Sequence, residues 1–142
     1  MSLTKEQFAK YFDHTLLDCM ATEADIRRIC DEAMQWSFFG VCVHPRWVAL
    51  CADILHASGV KVVTVAGFPF GTNLPKIKAE EAQAAIMDGA DEVDIVADLA
   101  AVQAGDEKYL MRDFSGVLVT CRAMKPPVAL KVIIESASLN DD

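Results

Sequence analysis

Asp94 is the residue of this chain whose placement most needs a chemical explanation. It lies in the run Asp91-Glu92-Val93-Asp94-Ile95-Val96, which otherwise reads as a buried strand. Asp91 and Glu92 are expected at the solvated strand entrance, and Asp94 inside. Burying an ionised carboxylate is costly unless it is paired or hydrogen-bonded. A group held at that cost is a candidate for proton transfer, with a structural ion pair as the alternative reading. Lys131, in Leu130-Lys131-Val132-Ile133, is a charge of opposite sign in an equally apolar run. Asp13, Cys42 and Thr64 also fall within strand-like stretches.

The histidines suggest less. Cys42 with His44 has no further ligands spaced to complete a tetrahedral metal site. Cys42 with His14 would make a nucleophile dyad, but a buried cysteine more often acts as a small hydrophobe. His56 falls late in a helix, where its interaction with the helix dipole is reason enough for it. The segment Gly67-Phe68-Pro69-Phe70-Gly71 reads as a turn that shapes a pocket, with a phosphate cradle as the lesser alternative.

The elements that must position these residues alternate regularly. Thr4 and Gln7 form a capping box for a lead-in helix reaching about Phe12. Asp13 to Leu17 reads as a short strand. Thr22 and Asp25 cap a helix running to about Gln35, with Ile26, Ile29, Cys30, Ala33 and Met34 as its apolar stripe. Phe38 to Val43 is a strand stopped by Pro45. Arg46 to Ser58 is a helix closed by Gly59. Lys61 to Ala66 is a strand, Pro75 to Asp88 a helix, and Glu92 to about Ala97 a strand. A longer helix spans about Glu107 to Met124, and Val128 to Glu135 is a further strand. The short joints between helix and next strand imply βα units, hence parallel strands with right-handed crossovers. A single domain over residues 1–142 is expected.

Two parallel folds fit that order. An open doubly wound sheet would carry glycines in its first βα turn, and neither Gly-x-Gly-x-x-Gly nor Gly-x-x-x-x-Gly-Lys-Ser/Thr occurs. Read with period 2, polar residues gather on one parity: Asp13 with Thr15, Cys42 with His44, Asp94 with Val96 and Asp98, Lys131 with Ile133 and Glu135. An interior lined by Asp13, Thr64, Asp94 and Lys131 favours an α/β barrel of the TIM (β/α)8 type. Only about five of its eight strands are legible, about three-fifths of such a domain.

Composition narrows the function classes. The chain has 142 residues, 13 basic and 21 acidic, for a formal net charge of −8. No basic stripe offsets this charge, so nucleic acid and anionic membrane are not expected as partners. Hydrophobic residues make up 53% and mean hydropathy is +0.24, as for strands buried on both faces. No apolar run approaches the ~20 residues of a membrane helix. The polar start Met1-Ser2-Leu3-Thr4-Lys5-Glu6-Gln7 does not read as a signal peptide, which gives a cytoplasmic expectation. The five cysteines, Cys19, Cys30, Cys42, Cys51 and Cys121, are expected as reduced thiols.

Five segments then carry a resemblance. They are Tyr11-Phe12-Asp13-His14-Thr15-Leu16-Leu17, Gly40-Val41-Cys42-Val43-His44-Pro45, Val65-Ala66-Gly67-Phe68-Pro69-Phe70-Gly71, Gly89-Ala90-Asp91-Glu92-Val93-Asp94 and Leu130-Lys131-Val132-Ile133-Ile134-Glu135. In order and spacing they resemble the deoxyribose-phosphate aldolase family. The resemblance implies a class I aldolase on a TIM barrel, joining acetaldehyde to glyceraldehyde 3-phosphate reversibly to give 2-deoxyribose 5-phosphate. It implies no cofactor and no metal, and a small phosphorylated sugar or aldehyde as substrate; the open strand edges of a partial barrel give the expectation of a homo-oligomer. Asp94 matches the family's fourth-strand aspartate, which takes part in proton transfer. Lys131 matches a fifth-strand lysine beside it, Cys42 a cysteine near the substrate pocket, and Asp13 an aspartate at the end of the first strand.

The family's Schiff-base lysine lies on strand six and a second lysine on strand seven. Neither position has a match here, nor do the later loops that hold the phosphate. Asp98 stands where the family usually has asparagine, and Asp18 where lysine is common. Leu139-Asn140-Asp141 reads as an N-cap with no helix following. The expectation is an aldolase-family chain that is inactive alone. The alternative is a non-catalytic assembly module that associates through open barrel edges.

Overall fold

The computed structural model describes residues 3–139. Five parallel strands form one sheet in the order β1-β2-β3-β4-β5. They are β1 Asp13–Leu16, β2 Gly40–Val43, β3 Lys61–Ala66, β4 Glu92–Val96 and β5 Ala129–Ile133. The helices are α1 Lys5–Ala9, α2 Glu23–Trp36, α3 Val48–Leu55, α4 Pro75–Met87, α5 Leu99–Ala104 and α6 Glu107–Ala123. Thr4 and Thr22 cap α1 and α2 with both halves of the capping box in place.

The sheet is curled. Neighbouring strands lie about 4.8 Å apart, so the two edges of a flat five-stranded sheet would be roughly 19 Å apart. Yet Lys131 Nζ, on edge strand β5, lies 3.0 Å from Asp13 Oδ2 on edge strand β1. No lysine side chain bridges the flat distance, so the strands bend around a common interior.

The convex face carries the helices. Ile26, Ile29, Cys30 and Ala33 of α2 pack with Val48, Cys51 and Leu55 of α3 over Val41, Val43 and Val62. Ala82 and Ile86 of α4 pack with Val117 and Cys121 of α6 over Ala66, Val93 and Ile95. The concave face has its own apolar wall of Cys42, Val63 and Val65, with Leu17, Phe68 and Ile133 against it. Cys30, Cys42, Cys51 and Cys121 are buried free thiols, and Cys19 is exposed and free.

Several boundaries differ from expectation. β2 begins at Gly40 rather than Phe38, and β1 pairs along it from Asp13↔Gly40. The third helix ends at Leu55, before Ser58: His56 leaves the helical region at ψ 128°, and Ala57 follows in the left-handed region at φ 63°. Helix α5 was not expected; Asp98 caps it and Gly105 ends it at φ 63°. The expected N-cap at Asn140 and Asp141 lies outside the described residues.

Two expectations about facing are overturned. Thr64 does not line the interior. Val63 and Val65 are the inward residues of β3, in register with Cys42 and Asp94. Thr64 therefore faces the helices and donates to the Val43 carbonyl at 2.8 Å. Glu92 is not at a solvated entrance. It shares parity with Asp94 and is 7% exposed.

Candidate active site

The interior face gathers three carboxylates around one ammonium. Lys131 Nζ lies 2.6 Å from Glu92 Oε1, 3.0 Å from Asp13 Oδ2 and 3.4 Å from Asp94 Oδ2. The register explains the meeting: Asp94 is the direct neighbour of Lys131 across β4 and β5. Curling of the sheet then brings in Asp13. Gly40 makes room for it, since a Cβ there would sit 2.8 Å from Asp13 Oδ1. The carboxylate oxygens lie within 4.8 Å of one another, as a cation site would require. The lysine ammonium already occupies that position.

Charge and burial decide the protonation states. Burial is the main force on Asp94 and pushes its carboxyl up to about 6. The attraction of Lys131 works against this, and the charge of Glu92 reinforces it. Burial disfavours the charge of Lys131, but contacts with Glu92 and Asp13 more than offset this and hold its ammonium above the ordinary lysine range. Burial, with the negative charges of Asp94 and Asp13, pushes the Cys42 thiol up to about 12. At neutral pH the cluster therefore holds a firmly charged ammonium, a carboxyl close to its titration point and a neutral thiol. Oδ1 of Asp13 and Oδ1 of Asp94 are buried with no hydrogen-bond donor among the described residues.

The other residues weighed from sequence lie elsewhere. His14 faces the helices, 2.6 Å from Glu32 and stacked on Phe38, so it does not meet Cys42. His44 donates from Nε2 to the Leu17 carbonyl at 3.0 Å and meets the edge of Phe68. His56 is the C-cap of α3. In the Gly67–Gly71 turn, the Gly67 amide donates to Glu81 and the Gly71 amide to the Gly67 carbonyl, both at 2.8 Å. Those amides are engaged within the protein rather than left to cradle a phosphate.

A family model for DeoC/LacD aldolases matches residues 7–142. The chain belongs to the DeoC/LacD aldolase family. A deoxyribose-phosphate aldolase from Caldicellulosiruptor saccharolyticus is 43% identical over 98% of this chain and 63% of its own length. One from Enterococcus faecalis is 44% identical over 94% and 59%. A solved structure from Coccidioides immitis superposes with TM-score 0.91 at 30% identity, covering 99% of this chain and 54% of that one. A tetrameric deoxyribose phosphate aldolase from Aeropyrum pernix gives TM-score 0.84 at 31% identity, over 97% and 56%. The chain thus spans about three-fifths of the length of these relatives. Its five strands form a partial barrel of the TIM type found in these DeoC aldolases.

Within this DeoC/LacD partial barrel, the sequence reading missed Glu92. Its spacing of two from Asp94 was the available signal, since residues two apart on a strand share a face. The departures at Asp98 and Asp18 also acquire local reasons. Asp98 Oδ1 accepts the Ala101 amide at 3.0 Å, and Asp18 Oδ1 accepts the Met20 amide at 2.8 Å.

The raised Asp94 carboxyl has a consequence for stability. Its ordinary value is 3.8 and its folded value about 6, so the folded state holds the proton more tightly. Its contribution is therefore complete below about pH 4 and is lost as pH rises through about 6. The shift corresponds to at most about 3 kcal/mol. In urea titrations, Asp94→Asn is expected to gain on the parent chain as pH rises from 4 to 7. A difference that stays constant over that window would contradict the assignment.

Proposed function

We propose that this chain carries the proton-handling part of a class I aldolase site acting on 2-deoxyribose 5-phosphate and its cleavage products, acetaldehyde and glyceraldehyde 3-phosphate. The observation that carries the reading is the Asp94–Lys131 pair, set with Glu92 and Asp13 inside a partial barrel of this family.

Forming and dehydrating a carbinolamine requires a group that both gives and takes a proton. Asp94, with its carboxyl pushed up to about 6, is suited to that work near neutral pH. Lys131 is a poor nucleophile, because attack on a carbonyl requires a neutral amine and its contacts keep it charged. Its part is to hold Asp94 in place and balance the charge there. Asp13 and Glu92 hold Lys131, and Cys42 forms neutral pocket wall. In this reading the Schiff-base lysine comes from the strands that complete the barrel. The protonated imine is itself the electron sink, so the reaction calls for no cofactor. The chain alone does not turn over, and its site is of the cytoplasmic, sugar-phosphate kind.

The test is complementation. The chain is mixed with a polypeptide carrying the part of the Caldicellulosiruptor relative that it does not match. Cleavage of 2-deoxyribose 5-phosphate should appear in the mixture and in neither component. Turnover by the chain alone, or none in a mixture shown to form a complex, would count against the proposal.

A second reading rests on β5. Val132 is 40% exposed and Ile134 46%, on the side where the other strands are covered by helices. Apolar surface beside an open strand edge favours association with another copy. Light scattering is expected to show self-association that weakens in Val132→Lys/Ile134→Lys. A monomeric parent chain would remove this reading.

A further inference from the structure

Away from the Asp94 cluster, the most deeply buried charges are Lys78 and Asp113, each 0% exposed. Lys78 stands on α4 and Asp113 on α6, with Nζ 2.8 Å from Oδ2. Neither residue serves the proton chemistry proposed above. Their remaining contacts reach the backbone where β4 ends. Lys78 Nζ donates to the Val96 carbonyl at 2.9 Å, and Asp113 Oδ2 accepts the Asp98 amide at 3.2 Å.

The preceding loop rests on the same lysine. The Lys78 stem runs under Gly67, where a Cβ would sit 2.9 Å from Cε. The loop then presses Gly71 onto the β4 exit, where a Cβ would sit 2.0 Å from the Ala97 carbonyl oxygen. The chain leaving β3 and the chain leaving β4 are thus fixed against each other above one ion pair. Val96 lies two residues beyond Asp94, on the same face of β4.

Stability alone is a weak reason for such a pair. Buried ion pairs are often matched or bettered by apolar residues of similar volume. Asp113 Oδ1 also lacks a hydrogen-bond partner among the described residues, as an arrangement optimised for stability would not. What apolar replacements cannot supply is a donor for the Val96 carbonyl and an acceptor for the Asp98 amide.

We propose that Lys78 and Asp113 are a positioning pair that fixes the barrel rim formed by Gly67–Gly71 and Ala97–Asp98, and through β4 sets where Asp94 sits. The proposal rests on the aldolase reading only in treating Asp94 as the proton carrier. Its test uses no substrate, so failure of the complementation assay and failure of this proposal are separate results.

The test compares the parent chain with Lys78→Met/Asp113→Leu. The double variant should fold and lose less stability than Lys78→Met alone, since it leaves no buried charge without its partner. Its Asp98 amide should exchange at least about tenfold faster. The Asp94 midpoint, read by carboxyl carbon NMR, should move from its value in the parent chain. A folded variant in which either the Asp98 exchange or the Asp94 midpoint is unchanged overturns the proposal. If the double variant does not fold, the parent chain decides. There the Asp98 amide should exchange as slowly as that of Val93 in the middle of β4, and faster exchange through local opening overturns the proposal.

Discussion

Lys78→Met alone is expected to destabilise the fold by roughly 3–5 kcal/mol, the usual cost of leaving a buried charge without its partner. Asp113 is 0% exposed and would retain one amide donor, from Asp98, in place of an ammonium. Domains of this size are stable by only about 5–15 kcal/mol, so a large share of the total is at stake. Urea unfolding followed by circular dichroism reads the effect. Lys131→Met makes an instructive comparison. It removes an ammonium that faces three carboxylates, yet its side chain is 48% exposed. Water already reaches the half-exposed ammonium and can reach the space it vacates. The carboxylates left behind, 10–19% exposed, are therefore not sealed off as Asp113 is, and the expected cost is about 1–2 kcal/mol. Burial, more than the number of charged neighbours, ranks the two lysines. A Lys78→Met loss no larger than that of Lys131→Met would contradict this ranking.

Asp94→Asn is expected to lower cleavage by the completed barrel at least about 100-fold, the lower range for removing a general acid or base. Asparagine keeps the shape but cannot carry the proton. It also removes one of the negative charges crowded against Glu92 and Asp13, so the loss of activity should accompany a fold at least as stable at neutral pH. Those opposite directions separate a chemical role from a structural one. Cys42→Ala should have a far smaller effect, because a thiol pushed up to about 12 is neither nucleophile nor base near neutral pH. Rates measured in the complemented mixture, with unfolding curves for the chain, check both statements. A variant that keeps full activity would remove Asp94 from the chemistry.

Much of this was legible in the residues themselves. The alternation of apolar runs with capped helices gave the element order, because each βα unit has its own punctuation: Thr22 before α2, Pro45 after β2, Pro75 at the start of α4. Pairing of Asp94 with Lys131 followed from parity on two apolar strands. Glu92 reads as solvated from its position near a strand start, whereas its spacing of two from Asp94 is what sets its facing. Thr64 reads as interior-facing because a polar residue in a strand is expected on the polar side. Its hydroxyl is satisfied on the helix side by a backbone carbonyl, a partner no side-chain pattern reveals.

The Lys78–Asp113 pair was invisible for a different reason. The two residues are 35 apart on different helices, and a lysine in an otherwise mixed helix reads as surface. Only packing of α4 on α6 brings them together. Helix α5 was missed despite good signals, Asp98 as cap and Gly105 as stop, because at six residues it is short.

The most direct test of the central claim is reductive trapping. The chain is treated with 2-deoxyribose 5-phosphate and borohydride at neutral pH, and each lysine is followed by peptide mass mapping. Lys131, held charged by Glu92 and Asp13, is expected to be modified no faster than Lys76, a surface lysine with a side chain 76% exposed. In the complemented barrel the adduct should form on the added polypeptide and require Asp94. Preferential labelling of Lys131 in the chain alone would make it the nucleophile and contradict the division of roles proposed here.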